Sequence, residues 1–401
     1  MSLKSPRLSC MVLGGGVTAL GVIRSLSRAG IHCNYSSTRS DIAAWSRLFK
    51  RKQNWPSQSL CSSSLADWLR STGFEHGVLM PCSDPWVQSV AGLDPSLRVL
   101  FRTWTPHVSV VETLIDKNRF RGVLEQLDLP HPRTFSLTPN SDGTDIPSEV
   151  FSSAFLKPCD SSSFLAEYGV KGIFVTSPQE LNEKNASAAA KGLSLVLQEY
   201  VPGSATNHFF VDGFRSKNQQ ITRFLARRRL RMFPPDFGNS TDMVSIPLRE
   251  VAPAIATIEK IFEHLEYHGI FSAEFKYDDR DGQFKILEIN CRPWWYVDFA
   301  DRCGLHTCRD ACYDALDLPI PGSKPYRVGK RGTYPSQDWE AYRANGGLDI
   351  TSFIAMLFNW FRSYQPIFSW SDPTPAFVNF ARLFSAAIKR RVQRMIGASF
   401  N

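Results

Sequence analysis

Two short apolar runs of this 401-residue chain, 271–277 (Phe-Ser-Ala-Glu-Phe-Lys-Tyr) and 284–290 (Phe-Lys-Ile-Leu-Glu-Ile-Asn), flank the turn Asp278-Asp279-Arg280-Asp281-Gly282. Each carries a glutamate. Side chains along a strand alternate between faces, so a hairpin centred on Asp281 sets Glu274 opposite Glu288, with Asn290 two residues along on the same face. Phe271, Ala273, Phe275, Leu287 and Ile289 are expected on the other face. Like charges directly opposed on paired strands repel, so the arrangement calls for a compensating cation. Two carboxylates and an amide oxygen are hard ligands that suit Mg²⁺, or Mn²⁺, with the remaining positions left for water and phosphate oxygens. A solvated hairpin would also tolerate both acids on its wet face, and only the rest of the chain can arbitrate.

Other segments carry matching chemistry. Lys117 opens a helical stretch after Asp116, and Lys157 closes the apolar strand Ala154-Phe155-Leu156-Lys157-Pro158 just before the small polar loop holding Ser161, Ser162 and Ser163. The strand 195–201, with Gln198, Glu199 and Val201, stops at Pro202-Gly203, and Arg292 follows Asn290 by two residues. Arg227, Arg228, Arg229 and Arg231 crowd a strand-like region in which alternation puts Arg227 and Arg229 on one face.

In this order the segments resemble the ATP-grasp superfamily over roughly residues 8 to 320, and the arginine-rich stretch with the Pro234-Pro235-Asp236-Phe237-Gly238 string is similar to the carboxylate–amine ligase group around D-aspartate ligase. The resemblance implies α/β plus α+β architecture: a Rossmann-like N-terminal domain, then a two-lobed ATP-grasp clamp, then a helical C-terminal extension. It places Lys117 and Lys157 on the ATP phosphates, which suits point-like cations. Ser161 to Ser163 become a loop whose backbone N–H groups approach the γ-phosphate. The segment Gln198 to Val201 becomes a hinge reading adenine, with Glu199 and Val201 in contact. Glu274, Glu288 and Asn290 become the Mg²⁺ ligands. For the arginine cluster two readings stand: a solvated strand that exposes alternate arginines, or Arg227 or Arg229, on one face, reaching the nucleotide phosphates or a carboxylate substrate, with Arg229 taken as the site candidate. Arg292 is assigned to the charge that develops as the phosphoryl group moves; structurally it could instead pair with Asp298 or Asp301. The implied reaction is ATP- and Mg²⁺-dependent amide formation between a small-molecule carboxylate and an amine through an acylphosphate, on an amino acid or small peptide-like substrate.

These residues need elements to position them. The run Leu8 to Leu13 ends in Gly14-Gly15-Gly16, and Ala19, Leu20, Val22, Ile23 and Leu26 then recur at helical spacing, which is the opening of a doubly wound sheet. Segments 1–110, 111–320 (with a small lobe at about 150–203) and 321–401 are the expected domains. The last segment is rich in aromatic residues, among them Phe353, Phe358, Trp360, Phe361, Tyr364, Phe368 and Trp370, a stripe expected to pack on the body as core; the alternative is a peripheral membrane contact by an interfacial helix, since Phe377, Phe380, Ala381, Phe384 and Ile388 share one face ahead of a basic end.

Composition narrows the class without choosing a ligand. With 43% hydrophobic and 21% charged residues the chain can build substantial cores, and its net charge of +8 permits anionic partners. No aromatic-interleaved basic module points to nucleic acid. Nine cysteines without a CxxC pair are expected to be reduced thiols of a cytoplasmic protein. Two rivals to the ligase are a non-catalytic ATP-binding scaffold and a nicotinamide-dependent oxidoreductase using Gly14-Gly15-Gly16. The latter lacks an acid at the end of the second strand, near Ser36 to Thr38.

Overall fold

The structure is a computed structural model that describes residues 8–35, 40–51, 62–71, 74, 76–158, 164, 167–344, 346 and 349–398. The chain forms two compact units, each assembled from separated stretches. One comprises Met1–Thr105, Arg292–Lys324 and Tyr364–Asn401, the other Pro106–Cys291 and Pro325–Ser363. Both units cross the segment boundaries drawn from sequence, because chain that leaves a core can return to it later.

In the first unit, β1 (Ser9–Leu13), β2 (His32–Tyr35), β3 (Lys50–Arg51), β4 (Gly77–Pro81) and β5 (Phe101–Arg102) form a parallel sheet in the order β3-β2-β1-β4-β5. Strands covered on both faces read as continuous apolar runs, and Cys10 to Leu13 are all buried. The helix Gly16–Arg28 follows β1, and at Gly21 an added Cβ would lie 3.1 Å from Val297 Cγ1, so a small residue is needed where this helix meets the helix Val297–Cys303. Behind that contact, Arg28 binds Asp298 and Asp301, and buried Arg24 holds Asp372 (Nε–Oδ2 3.2 Å) and the carbonyls of Pro366 and Ile367.

The second unit carries two sheets. The smaller contains β6 (Thr134–Ser136), β7 (Ala154–Pro158), β8 (Ile173–Val175) and β9 (Leu195–Glu199) in the order β6-β9-β7-β8, over a core that includes Leu156, Leu181 and Leu197. The larger is antiparallel, in the order β14-β13-β10-β11-β12-β15, from β10 (His208–Arg215), β11 (Thr222–Phe233), β12 (Asn239–Ile246), β13 (Gly269–Asp278), β14 (Gln283–Asn290) and β15 (Arg331–Thr333). Phe271 meets Phe262 of the helix Ala252–His264 edge-on at 4.8 Å, which seals one face of the large sheet. The opposite face carries Glu274, Lys276 and His208 beside Phe210.

Lys117 opens its own helix: Val108–Ile115 and Lys117–Gln126 are separated at Asp116, whose carboxylate caps the second by accepting from Asn118 N and Arg119 N. Two expectations are corrected. The extension beyond 320 is not only helical, since β15 completes the large sheet and Trp360 Nε1 donates to buried Asp338, a partner of Arg231. Its aromatic stripe is core only in part: Phe353, Trp360, Tyr364 and Phe368 are half-buried, whereas Phe358, Phe361 and Trp370 are exposed, as are Phe377, Phe380 and Phe384 of the last helix. A helix that touches the body on one narrow side leaves its remaining apolar positions in water. Among the described residues no helix is long and apolar enough to cross a membrane, and the described cysteines are buried thiols.

Candidate active site in the second unit

The hairpin of β13 and β14 places Glu274 directly opposite Glu288 and Ser272 opposite Asn290, the register that alternation about Asp281 requires. One residue departs from it. A bulge lets Phe275 pair with Ile286, so Leu287 is the extra residue of β14, and it lines the same cavity as Glu288 instead of joining Ile289 on the far side.

Register carries the polar face across three strands. Phe210 pairs with both Glu274 and Arg227, and His208 with Lys276, so Glu274, Lys276, His208, Arg227 and Arg229 share one side of the sheet. Glu274 Oε1 accepts from His208 Nδ1 at 3.0 Å and from Arg229 NH2 at 3.1 Å. Burial opposes ionisation of Glu274, but Arg229, His208 and Arg227 outweigh it and hold the carboxyl below its usual range. Burial, reinforced by Arg229, lowers His208 to about 4, so this imidazole is neutral at pH 7. Arg229 also donates to Ser240 Oγ at 2.9 Å, and Arg227 is taken by Asp212 (Nε–Oδ2 2.6 Å), which accepts from Ser272 Oγ as well. Of the arginine cluster, Arg229 thus donates directly to Glu274.

A cleft between the two sheets collects these groups. Lys157 of β7, Lys171, Gln198 and Glu199 of β9, Tyr200, Val201, Arg229, Glu274, Lys276 and Glu288 line a cavity of about 210 Å³. A neighbouring cavity of about 360 Å³ shares Tyr200, His208, Met232, Asp236 and Lys276 with it. Together they reach the size of small-ligand sites, roughly 300–1,000 Å³. One end is aromatic: Phe155 lies 4.8 Å from Phe237 and 6.2 Å from Tyr200 between ring centroids, a surroundings suited to a flat base. The other end is charged. The Glu199 side chain cannot serve a ligand freely, because Arg280 (NH2–Oε1 2.8 Å) and Arg133 (Nε–Oε2 3.4 Å) hold it.

Lys171 and Lys276 were missed by sequence reasoning. Lys171 Nζ donates to Asn239 Oδ1 at 2.8 Å; burial lowers its pKa while Glu288 and Glu274 oppose that shift. Lys276 sits over the Tyr200 ring, 4.2 Å from its centroid, and burial with Arg229 lowers it to about 8. Lys276 had a usable signal, lying two residues after Glu274 on the same strand face; Lys171, in a connection, had none.

The remaining sequence-derived residues are distributed as follows. Asn290 Nδ2 donates to Glu288 Oε1 at 3.0 Å. Lys117 opens its helix and is not among the residues lining either cavity. Ser161, Ser162 and Ser163 lie outside the described residues. Arg292 belongs to the first unit, where Asp84 binds it in bidentate fashion (Nε–Oδ1 2.6 Å, NH2–Oδ2 3.1 Å), while Asp298 and Asp301 are occupied by Arg28.

Magnesium can be tested against this donor set. Among the described residues no group of three or more His, Cys, Asp or Glu side chains forms a complete cage, but two carboxylates opposed on one cavity wall with an adjoining amide match the partial protein coordination that Mg²⁺ accepts beside phosphate oxygens. The set fits. The glycine turn of the first unit fits a dinucleotide poorly. Gly16 N donates to Asp41 Oδ2 at 2.8 Å, and a Cβ on Gly15 would come within 2.0 Å of that oxygen, so an internal carboxylate holds the helix N-terminus where a pyrophosphate would bind.

Solved structures share the fold. The carboxyaminoimidazole ribonucleotide synthase of Aspergillus clavatus, complexed with ATP, superposes with a TM-score of 0.62 at 14% identity, covering 84% of this chain and 86% of that one. For the L-amino acid ligase of Bacillus licheniformis the TM-score is 0.58 at 14% identity, covering 78% and 75%. The biotin carboxylase domain of the Hydrogenobacter thermophilus 2-oxoglutarate carboxylase, in complex with MgADP, gives 0.61 at 16%, covering 80% and 73%. The fold is that of the ATP-grasp ligases. In sequence the chain is homologous to the D-aspartate ligase of Enterococcus faecium (strain Aus0004), 26% identical over 249 residues. The match takes in 60% of this chain and 58% of the relative, so the chain spans well under two thirds of that ligase's length. No protein-family model matches.

Proposed function

We propose that the chain is an ATP- and Mg²⁺-dependent ligase that joins a carboxylate to an amine. The observation that carries this reading is the opposed pair Glu274 and Glu288 on the wall of a cleft whose other lining includes Lys157, Lys276 and the strand end Gln198–Val201. A polyphosphate needs both cations and a shared metal; an adenine needs an apolar slot beside free backbone edges.

In this proposal Phe155, Tyr200 and Phe237 enclose the base, and the backbone of Glu199 and Val201 reads its edge while Arg280 and Arg133 fix the Glu199 side chain away from it. Lys157, with Lys117 and Ser161 to Ser163 assigned from the motif order, neutralises the phosphates. Glu274, Glu288 and Asn290 would hold Mg²⁺, which when bound offsets charge on the phosphate oxygens. Arg229 orients Glu274 and stands ready for an anionic group. A carboxylate oxygen of the acid attacks the γ-phosphorus and ADP leaves. The amine nitrogen then attacks the acyl carbon, inorganic phosphate leaves with the C–O bond electrons, and the nitrogen gives up a proton. Positioning and charge neutralisation suffice for both steps.

D-aspartate, from the relative's name, is the first acid to test, followed by other amino acids and small peptides as acid or amine. ADP release that depends on the acid, a hydroxamate when hydroxylamine replaces the amine, and a product mass equal to acid plus amine less water are the expected results. ATP binding without ADP release across the whole panel would identify a nucleotide-binding scaffold and reject the ligase.

A further inference from the structure

The last helix of the chain, Thr374–Ala398, does something the ligase reading does not require. Phe377, Phe380, Phe384 and Ile388 follow one another at helical spacing and are 69%, 69%, 60% and 49% exposed, and Trp370, four residues before the helix, is 88% exposed. Burying such side chains is worth about 1.5–3 kcal/mol each, so a row of them left in water is a surface awaiting a cover. The body of the unit does not provide it. Arg382, which donates from NH1 to Ser40 O at 2.7 Å, ties the helix down, and at two residues before Phe384 it projects about 200° around the helix from it.

Charge selects the cover. From Thr374 to Ala398 there is no aspartate or glutamate, while Arg382, Lys389, Arg390, Arg391 and Arg394 all fall in this helix, the last four in its final turns. We infer that this helix lies in the interface of an anionic bilayer, with the Phe377–Phe380–Phe384–Ile388 face among the acyl chains and the basic end at the headgroups. An apolar stripe followed by a basic end, with no acid in the whole helix and too little apolar length to span, is the pattern of interfacial binding. Each cation near an anionic surface adds roughly fivefold to partitioning (about 1 kcal/mol), and a residual aromatic row supplies the part that salt does not screen. A second protein molecule would have to match an acid-free helix with an acidic groove.

The test uses the full-length chain and sedimented vesicles of phosphatidylcholine alone or with about a third phosphatidylglycerol. The expected results are at least tenfold stronger partitioning onto the anionic vesicles, weakening with salt, and loss of tenfold or more in Phe380→Asp/Phe384→Asp with an unchanged thermal midpoint. Lys389→Ala/Arg390→Ala should lose roughly 25-fold on anionic vesicles and little on neutral ones. No preference for anionic vesicles, or binding by Phe380→Asp/Phe384→Asp equal to wild type, overturns the inference. So does a wild-type dimer by light scattering that the same double variant converts to monomer, since the face is then covered by a second copy.

Discussion

Exchanging each opposed glutamate for glutamine should separate the two roles of the pair. Glu274 is charge-balanced within the protein: its Oε1 receives Arg229 and His208, and Arg229 is 4% exposed. Glu274→Gln leaves that guanidinium buried with Ser240 as a neutral partner, and breaking a buried pair by neutralising one member costs about 3–5 kcal/mol. The retained amide oxygen still accepts, so the low end, about 3 kcal/mol or roughly 150-fold in the folding equilibrium, is expected. Glu288 is half-buried on the edge strand β14, and its described hydrogen bond is from Asn290. Glu288→Gln removes a like charge directly opposite Glu274, so the metal-free protein should be unchanged or stabilised by up to about 1 kcal/mol. Denaturant unfolding in EDTA measures both. Calorimetric titration with ATP, with and without Mg²⁺, then gives the second half: Glu288→Gln should lose at least tenfold in the Mg²⁺-dependent part of ATP affinity despite its intact fold. If Glu288→Gln unfolds as readily as Glu274→Gln, or keeps the wild-type response to Mg²⁺, the glutamate pair is structural and the metal assignment is wrong.

Three further outcomes follow from the same contacts. Because His208 is lowered to about 4 in the fold, the unfolded chain takes up this proton first; stability is full above the ordinary histidine pKa and falls by about 2 kcal/mol between pH 7 and pH 5, a loss that His208→Gln should flatten in denaturant titrations. Lys276, lowered to about 8, carries less charge as pH rises through that value, so ATP affinity should fall about tenfold between pH 7 and pH 9, and Lys276→Met should abolish the slope; a wild-type affinity that stays level excludes Lys276 from the phosphate site. Asp338 accepts from Arg231 Nε (2.8 Å), Thr241 Oγ1 (3.0 Å) and Trp360 Nε1 (2.8 Å), so Asp338→Ala should cost about 3 kcal/mol in unfolding experiments, with Arg231 partly rescued by Asp242 at 3.1 Å.

Local pattern was enough to place the two acids. A turn and the two-residue alternation of strands are properties of neighbouring residues, and they determined that Glu274 faces Glu288; the order of Lys157, the Gln198–Val201 strand end and the hairpin likewise follows the chain. The neutralisation of Glu274 by Arg229, its hydrogen bond from His208, and the arrival of Lys171 at the same cleft depend on segments tens of residues apart meeting in one sheet or across two. No periodicity records such meetings. Equally, the row Phe377, Phe380, Phe384 is legible as an amphipathic stripe, but whether a stripe is core or surface is a question of what packs against it. Tertiary structure answers it, because burial is a property of the partner and not of the helix, just as the charge state of Glu274 is a property of the cations that the fold brings beside it.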